Sequence, residues 1–145
     1  MRKICVSFLI LFLTAFSISA QELALVREGG QFGYIDKSGA YVIEPQFSKA
    51  KSFSESRAAV EQDKKWGFID TSGKWAIQPE YDKVKEFNSG YALVLKDDQW
   101  SYIDVSGKVL EVPSSEKYFD FEDGVAFIRQ GEKIGLMGTD GKIIL

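Results

Sequence analysis

Lys65-Trp66-Gly67-Phe68-Ile69-Asp70-Thr71-Ser72-Gly73-Lys74 couples a short aromatic and branched run directly to a polar turn. The run has strand character, because such side chains pack well on a pleated surface. Asp70 can hydrogen-bond the backbone two residues on, and Gly73 accepts the left-handed conformation that closes such a turn. Upstream, Ala58-Ala59-Val60 is a second apolar run, separated from Trp66 by the polar Gln62-Asp63-Lys64-Lys65. Two runs joined by so tight a polar link read as a β-hairpin, with Asp63-Lys64 as its turn. Downstream, Lys74-Trp75-Ala76-Ile77 reads as a third strand. Pro79 removes a backbone donor, so that strand ends there or lies at an edge.

The same pattern recurs every 34 residues without an insertion. Ala24, Ala58, Ala92 and Ala126 keep the interval, as do Phe32, Trp66, Trp100 and Ile134. So do the turn glycines Gly39, Gly73, Gly107 and Gly141, the aromatics Phe53, Phe87 and Phe121, and the prolines Pro45, Pro79 and Pro113. The hairpin link reads Gly29-Gly30, Asp63-Lys64, Asp97-Asp98 and Gly131-Glu132. A period of this size means that no unit buries its own apolar face, so each must stack on its neighbours. A helical tetratricopeptide array has a similar period. Here Gly67, Gly73, Pro79 and Gly90 interrupt the unit too often for paired helices.

The chain therefore reads as all-β: four stacked three-stranded meanders, units 23–56, 57–90, 91–124 and 125–145, in an open twisted array. A small propeller-like closed ring is the alternative, since closure would hide the sheet edges. The connector from Glu80 to Gly90 carries Tyr81, Val84 and Phe87. It reads either as a short irregular fourth strand or as a loop pinned by its aromatics.

Residues 1–20 belong to a different regime. Arg2 and Lys3 precede an apolar stretch from Ile4 to Phe16, and Ser17-Ile18-Ser19-Ala20 closes it with small residues. This is the layout of a secretory signal peptide, cleaved after Ala20, with a repeat domain over 21–145. The apolar stretch is shorter than the roughly 20 residues that span a bilayer. Its removal takes the only cysteine, Cys5, and moves the net charge from −3 to −5. An acidic surface disfavours nucleic acid, whose binding leans on Lys and Arg at phosphates. Without cysteine no disulfide helps, so packing alone holds the domain. Without histidine the chain lacks the usual neutral-pH base and the commonest metal ligand.

The segments Lys65 to Lys74, Ile77-Gln78-Pro79-Glu80-Tyr81-Asp82 and Phe87-Asn88-Ser89-Gly90-Tyr91-Ala92-Leu93-Val94 resemble the WG-repeat (KWG-repeat) family of bacterial proteins. The resemblance runs from Leu23 to Leu145 and rests on spacing across whole units. The chain departs from the pattern at Phe32, Ser101, Ile134 and Gly138. The resemblance implies a tandem β-repeat array, often exported, and brings no catalytic residue with it.

Several columns invite chemistry and have a structural alternative. Asp36, Asp70 and Asp104 each begin an Asp-x-Ser-Gly turn. One carboxylate per turn is too few for calcium, which takes six to eight oxygens, so turn-making accounts for them. Ser72 beside Lys74 lies on a solvated turn with no base to activate it. Acids for glycoside hydrolysis could come from Glu80, Asp82, Asp120, Glu122 and Asp123, though nothing singles out a pair. Phe32, Trp66 and Trp100 could stack on sugars, but Ile134 completes their column and points to packing. Tyr41, Trp75, Val109 and Ile143 read as a second packed ladder. Lys49, Lys83 and Lys117 suit an edge protected against aggregation better than a polyanion site.

The third connector breaks the rule of the repeat. Ser115 stands where Phe47 and Tyr81 stand, and Tyr118-Phe119 replace Ala50-Lys51 and Val84-Lys85. Neighbouring side chains on an extended segment point opposite ways. One ring can thus refill the volume lost at Ser115 while the other anchors a partner. Tyr118 and Phe119 are accordingly the candidate binding residues, and no catalytic or metal-binding residue and no cofactor is expected. The expected function is a secreted or periplasmic, non-enzymatic binding or scaffold module that meets a protein or an envelope component. A carbohydrate-recognition module is the alternative, and a glycan-active enzyme a more distant one. Mass spectrometry of the exported fraction should find a mature chain beginning at Gln21. An intact Met1 in the membrane pellet would contradict the cleavage.

Overall fold

The structure, a computed structural model, describes residues 22–145, so the expected leader over 1–20 lies outside the described residues. Every regular element among the described residues is a strand. The first sheet joins β1 (Ala24–Glu28), β2 (Gln31–Ile35) and β3 (Tyr41–Phe47). The second joins β4 (Ala50–Ser54), β5 (Arg57–Gln62), β6 (Lys65–Ile69) and β7 (Trp75–Tyr81). The third joins β8 (Lys83–Val84), β9 (Tyr91–Lys96) and β10 (Gln99–Asp104). The fourth joins β11 (Lys117–Tyr118), β12 (Val125–Gln130) and β13 (Lys133–Gly138). All neighbours are antiparallel.

The connector is a strand, and it belongs to the unit that follows it. Ala50 pairs with Val60, Val84 with Val94 and Tyr118 with Ile128. Each connector strand enters its hairpin through a second two-residue turn: Glu55-Ser56, Ser89-Gly90 and Asp123-Gly124. All six residues have φ between 49° and 84°. So do Asp63-Lys64 and Asp97-Asp98, at 49° to 65°. Both central residues of a type I′ hairpin turn need positive φ, and this turn matches the twist of the strands it joins. Side chains stitch the equivalent turns together, with Gly90 N–H donating to Glu55 Oε2 at 2.8 Å and Gly124 N–H to Ser89 Oγ at 2.9 Å.

Strand alternation gives each sheet two faces, and the faces meet in three cores. Tyr34, Ile43 and Phe47 of the first sheet pack on Ala58, Val60 and Ile69 of the second. Ala59, Phe68, Ile77 and Tyr81, on the opposite face of the second sheet, pack on Val84, Phe87, Val94 and Ile103 of the third. Leu93 and Tyr102 then pack on Phe121, Ala126, Ile128 and Met137 of the fourth. Burying one such large side chain contributes about 1.5–3 kcal/mol. Tyr34 and Tyr102 each add a tie across the interface. Their hydroxyls donate to the carbonyls of Lys51 at 2.7 Å and Phe119 at 2.5 Å.

The array is open. Phe127 is 53% exposed, whereas its counterparts one and two units earlier, Leu93 and Ala59, are 5% and 2% exposed. A closed ring would lay the first sheet over Phe127. The two expected ladders hold only in part: Phe32, Trp66, Trp75 and Trp100 pack against the cores, while the other members do not. Trp66 and Trp100 are only partly buried and Ile134 is 66% exposed, while Tyr41, Val109 and Ile143 are largely in solvent. The Trp66 column sits beside the hairpin tips, and of the Tyr41 column Trp75 alone is covered, packing against Phe47 of the preceding sheet. The deep aromatic core is instead Tyr34, Phe68 and Tyr102, with Phe87 and Phe121.

The glycine after the tryptophan has a specific steric task. A Cβ on Gly67 would lie 2.6 Å from the Ile77 carbonyl oxygen and 2.7 Å from the Pro79 nitrogen. On Gly33 the distances to Ile43 O and Pro45 N would be 2.5 and 2.7 Å, and on Gly135 a Cβ would sit 2.5 Å from Leu145 O. At this point the third strand bulges directly across the second, which breaks the register between Trp66 and Phe68. Only a residue without a side chain permits that approach.

The Asp turns are equally local. Asp70 Oδ1 accepts Ser72 Oγ–H at 2.7 Å, Ser72 N–H at 2.9 Å and Lys74 N–H at 3.1 Å. Asp36 and Asp104 repeat the arrangement with Ser38 and Ser106. Gly73 closes the turn at φ 84° and packs against the Ile43 side chain of the preceding sheet, so turn and stacking interlock.

Gly67→Ala should therefore lower stability by about 1–3 kcal/mol, the scale of an overpacked site. Ser101→Ala should stay within about 0.5 kcal/mol. Urea melts compare the two, and equal effects would contradict the crossing. A pH series tests the turns. Bonds from the serine hydroxyl first, and then from backbone N–H groups, hold Asp36, Asp70 and Asp104 below the ordinary carboxyl value of 3.8. A carboxyl depressed in the folded state stabilises it above the unfolded value and loses that contribution as pH falls through the folded value. The urea midpoint should thus begin to drop below about pH 4, and Asp70→Asn with Asp104→Asn should flatten the drop.

Candidate functional site

The third unit carries serine where the other units carry the crossing glycine, and its third strand is absent. Ile103 keeps a single bridge to Val109, and Leu110 N–H donates to the Tyr102 carbonyl at 2.9 Å. Beyond that point the chain leaves the sheet. The Cβ of Ser101 occupies the space that a crossing backbone needs. Glu111 and Ser115 also replace the Ile77 and Tyr81 side chains that would hold such a strand down.

The departing segment is fastened to the fourth sheet. Ser115 Oγ lies 2.5 Å from the Lys117 carbonyl and accepts Arg129 N–H at 3.0 Å. Glu116 N–H donates to the Arg129 carbonyl at 2.9 Å, and Glu116 Oε1 accepts Gly131 N–H at 3.1 Å. Between this segment and β10 a cleft of about 660 Å³ opens. Trp100, Tyr118 and Leu93 give it apolar walls, and Lys85, Lys117, Asp98 and Glu116 place both charge signs around it. That volume lies in the range of small-ligand and peptide pockets, about 300–1,000 Å³.

The structure separates the two candidate binding residues. Tyr118 faces inward, its ring 5.9 Å from that of Tyr102, and one side of it lines the cleft. It refills part of the volume lost at Ser115. Phe119 lies on the opposite face, its ring 6.1 Å from exposed Phe127, with Lys117 Nζ 4.8 Å above it. Its carbonyl is held by Tyr102, whose hydroxyl burial pushes up to about 12. Trp100 packs against the third core, as its column implies, and its remaining surface lines this cleft. The signal lay in the coincidence of Ser101 and Ser115 within one unit.

Three of the five candidate acids are engaged elsewhere. Glu80 pairs with Lys96 at 2.6 Å and Asp82 pairs with Lys65, so both are held below the ordinary carboxylate value. A general acid needs the opposite shift. Asp120 lies 3.5 Å from Lys85. Of the lysine column, Lys49 pairs with buried Glu61 at 2.8 Å. Among the described residues no three His, Cys, Asp or Glu side chains converge on one point.

No curated protein matches the chain. The family model for the WG containing repeat matches it three times in tandem, at residues 32–66, 66–100 and 100–133. The match boundaries fall on Phe32, Trp66 and Trp100, the residues that precede each crossing position. With most of its length covered by these matches, the chain belongs to the WG-repeat family, as a tandem array of β-sheet units.

Proposed function

We propose that this chain is an exported, non-enzymatic binding module that meets a protein or another envelope component through Tyr118 and Phe119. The observation that carries the reading is the failure of the repeat in one unit. The first two units lay a third strand along the hairpin, whereas the third carries a full hairpin, withdraws that strand and leaves aromatic side chains beside a cleft. An array held together by side-chain packing has no structural use for such a gap. Tyr and Trp are favoured where binding energy concentrates, because they offer large contact areas at small entropic cost. The acidic balance, net −3 over the sequence, argues for a partner other than nucleic acid. The charged start, apolar stretch and small-residue close of residues 1–20 support a secreted or periplasmic location. No cofactor enters this reading.

Carbohydrate recognition is the second reading, and one feature favours it. Trp100 and Tyr118 line the same cleft with Gln99, Asp98 and Glu116, and aromatic faces beside polar groups suit a sugar ring.

Paired melts and crosslinking captures from the exporting cell's envelope test the site. Phe119→Ala should leave stability within about 0.5 kcal/mol and weaken capture by about 1–2 kcal/mol. Tyr118→Ala should lower both, because its ring packs on Tyr102. Capture that is indifferent to both substitutions would remove the site.

A further inference from the structure

We propose that the cleft beside Trp100 receives an extended peptide segment of a partner protein, which pairs with the open edge of β10 and inserts an aromatic side chain. The inference rests on the binding-module reading above and names the chemistry of the partner.

The chain itself shows what covers this edge elsewhere. In the first sheet Phe32 pairs with Phe47, and in the second Trp66 pairs with Tyr81. Each time, an extended segment lies along the outer side of the second hairpin strand and buries an aromatic residue, Phe47 or Tyr81. Trp100 is the equivalent residue in β10, and among the described residues its only ladder partner is Leu95 of β9. The backbone groups of alternate residues point to alternate sides of a strand. Tyr102 and Asp104 direct theirs outward, to Leu110 and Lys108. By parity the N–H and C=O of Trp100 point outward too, and among the described residues no backbone hydrogen bond reaches them on that side. A donor, an acceptor and a half-buried indole thus stand together at the position where two other sheets hold an aromatic strand.

The chain's own segment cannot fill this place, because it would have to cross Ser101. A separate peptide has no such obligation. It can pair at Trp100 and run out past the Asp97-Asp98 turn without approaching the Ser101 Cβ. Lys85 and Lys117 together with Asp98 and Glu116 give the rim both signs, which suits a peptide of mixed charge better than a polyanion. Main-chain pairing would supply affinity, and the aromatic pocket would supply selectivity, as in strand addition generally.

The template also supplies the probe, limited to the part beyond the crossing: fluorescein-labelled Glu80-Tyr81-Asp82-Lys83-Val84-Lys85, titrated into the repeat domain and followed by anisotropy. Saturable binding is expected, weakened about tenfold or more by Tyr81→Ala in the peptide or Trp100→Ala in the protein. The Trp100 amide should gain exchange protection when peptide is bound. A double variant, Ser101→Gly with Ser115→Tyr, restores the crossing glycine and the missing aromatic. It should keep or raise the urea midpoint and abolish peptide binding, so that lost binding cannot be ascribed to unfolding. Absent saturation, unchanged affinity in the double variant, or indifference to the peptide's tyrosine would each overturn the proposal. So would a chito-oligosaccharide that binds at Trp100 where the peptide does not. If the peptide fails while envelope capture through Phe119 persists, only this inference falls. If the peptide binds while capture ignores Tyr118 and Phe119, the envelope site falls and the cleft stands.

Discussion

A backbone crossing with no room for a Cβ governs this array. The carbonyl and nitrogen atoms of β3 and β7 pass within 2.5–2.7 Å of where a side-chain carbon would begin on Gly33 and Gly67. The third strand of a unit can lie flat on its hairpin only if that contact is made. Once it lies flat, Ile43 or Ile77 faces the next sheet and meets the turn glycine there, Gly73 or Gly107. A local steric permission in one unit thereby becomes a packing contact with the next. The tryptophan that gives the motif half its name is less deeply placed than the glycine beside it. Trp66 is partly buried near a hairpin tip, while Gly67 is fully enclosed.

Stacking follows from the same alternation. A strand only five or six residues long presents two or three side chains to each face, too few for an independent core. The middle sheets solve this by burying both faces: Ala58 and Val60 look back to the first sheet while Ala59 looks forward to the third. Small residues at Ala58, Ala92 and Ala126 let neighbouring sheets approach, and the large rings Tyr34, Phe68 and Tyr102 fill the space between them. Stability in such an array is a chain of nearest-neighbour terms. A fault in one unit can then be absorbed locally, which is why the third unit tolerates a missing strand while its hairpin remains packed between the second and fourth sheets.

Much of this was legible in the sequence, because the repeat prints the same answer four times. Period, hairpins, Asp-x-Ser-Gly turns and the all-β class all follow from residue types at fixed offsets. The connector was harder. Its strands β8 and β11 are two residues long, too short for any periodicity, and the strand belongs to the following unit. The clue was chemical: Ser89-Gly90 and Asp123-Gly124 are turn pairs lying directly before the hairpins. Burial within the aromatic columns was not legible at all. Trp66 and Phe68 share a face of β6, and their different depths depend on how far the neighbouring sheet reaches. At the candidate site the sequence pointed to Tyr118 and Phe119 by their oddity within the column. Strand alternation sends their rings to opposite faces, but the sequence could not say which ring turns inward, or that Trp100 would be left at an open edge.

The position of the cleft follows from how a repeat can acquire a site. Every unit of an array is constrained by its neighbours on two sides, so a binding feature can appear only where a constraint is relaxed without severing the stack. The third strand is the outermost element of its sheet, and the hairpin beneath it carries the packing. Loss of that strand costs edge contacts and leaves Leu93 and Tyr102 in the core they share with the fourth sheet. Ser101 removes the permission to cross, Ser115 and Glu111 remove the side chains that would reward crossing, and Tyr118 restores part of the lost volume from the other side. Each change alone would leave a strained or poorly filled unit. Together they leave uncovered a sheet edge that the repeat ordinarily hides, where the backbone and the indole of Trp100 stand side by side on β10.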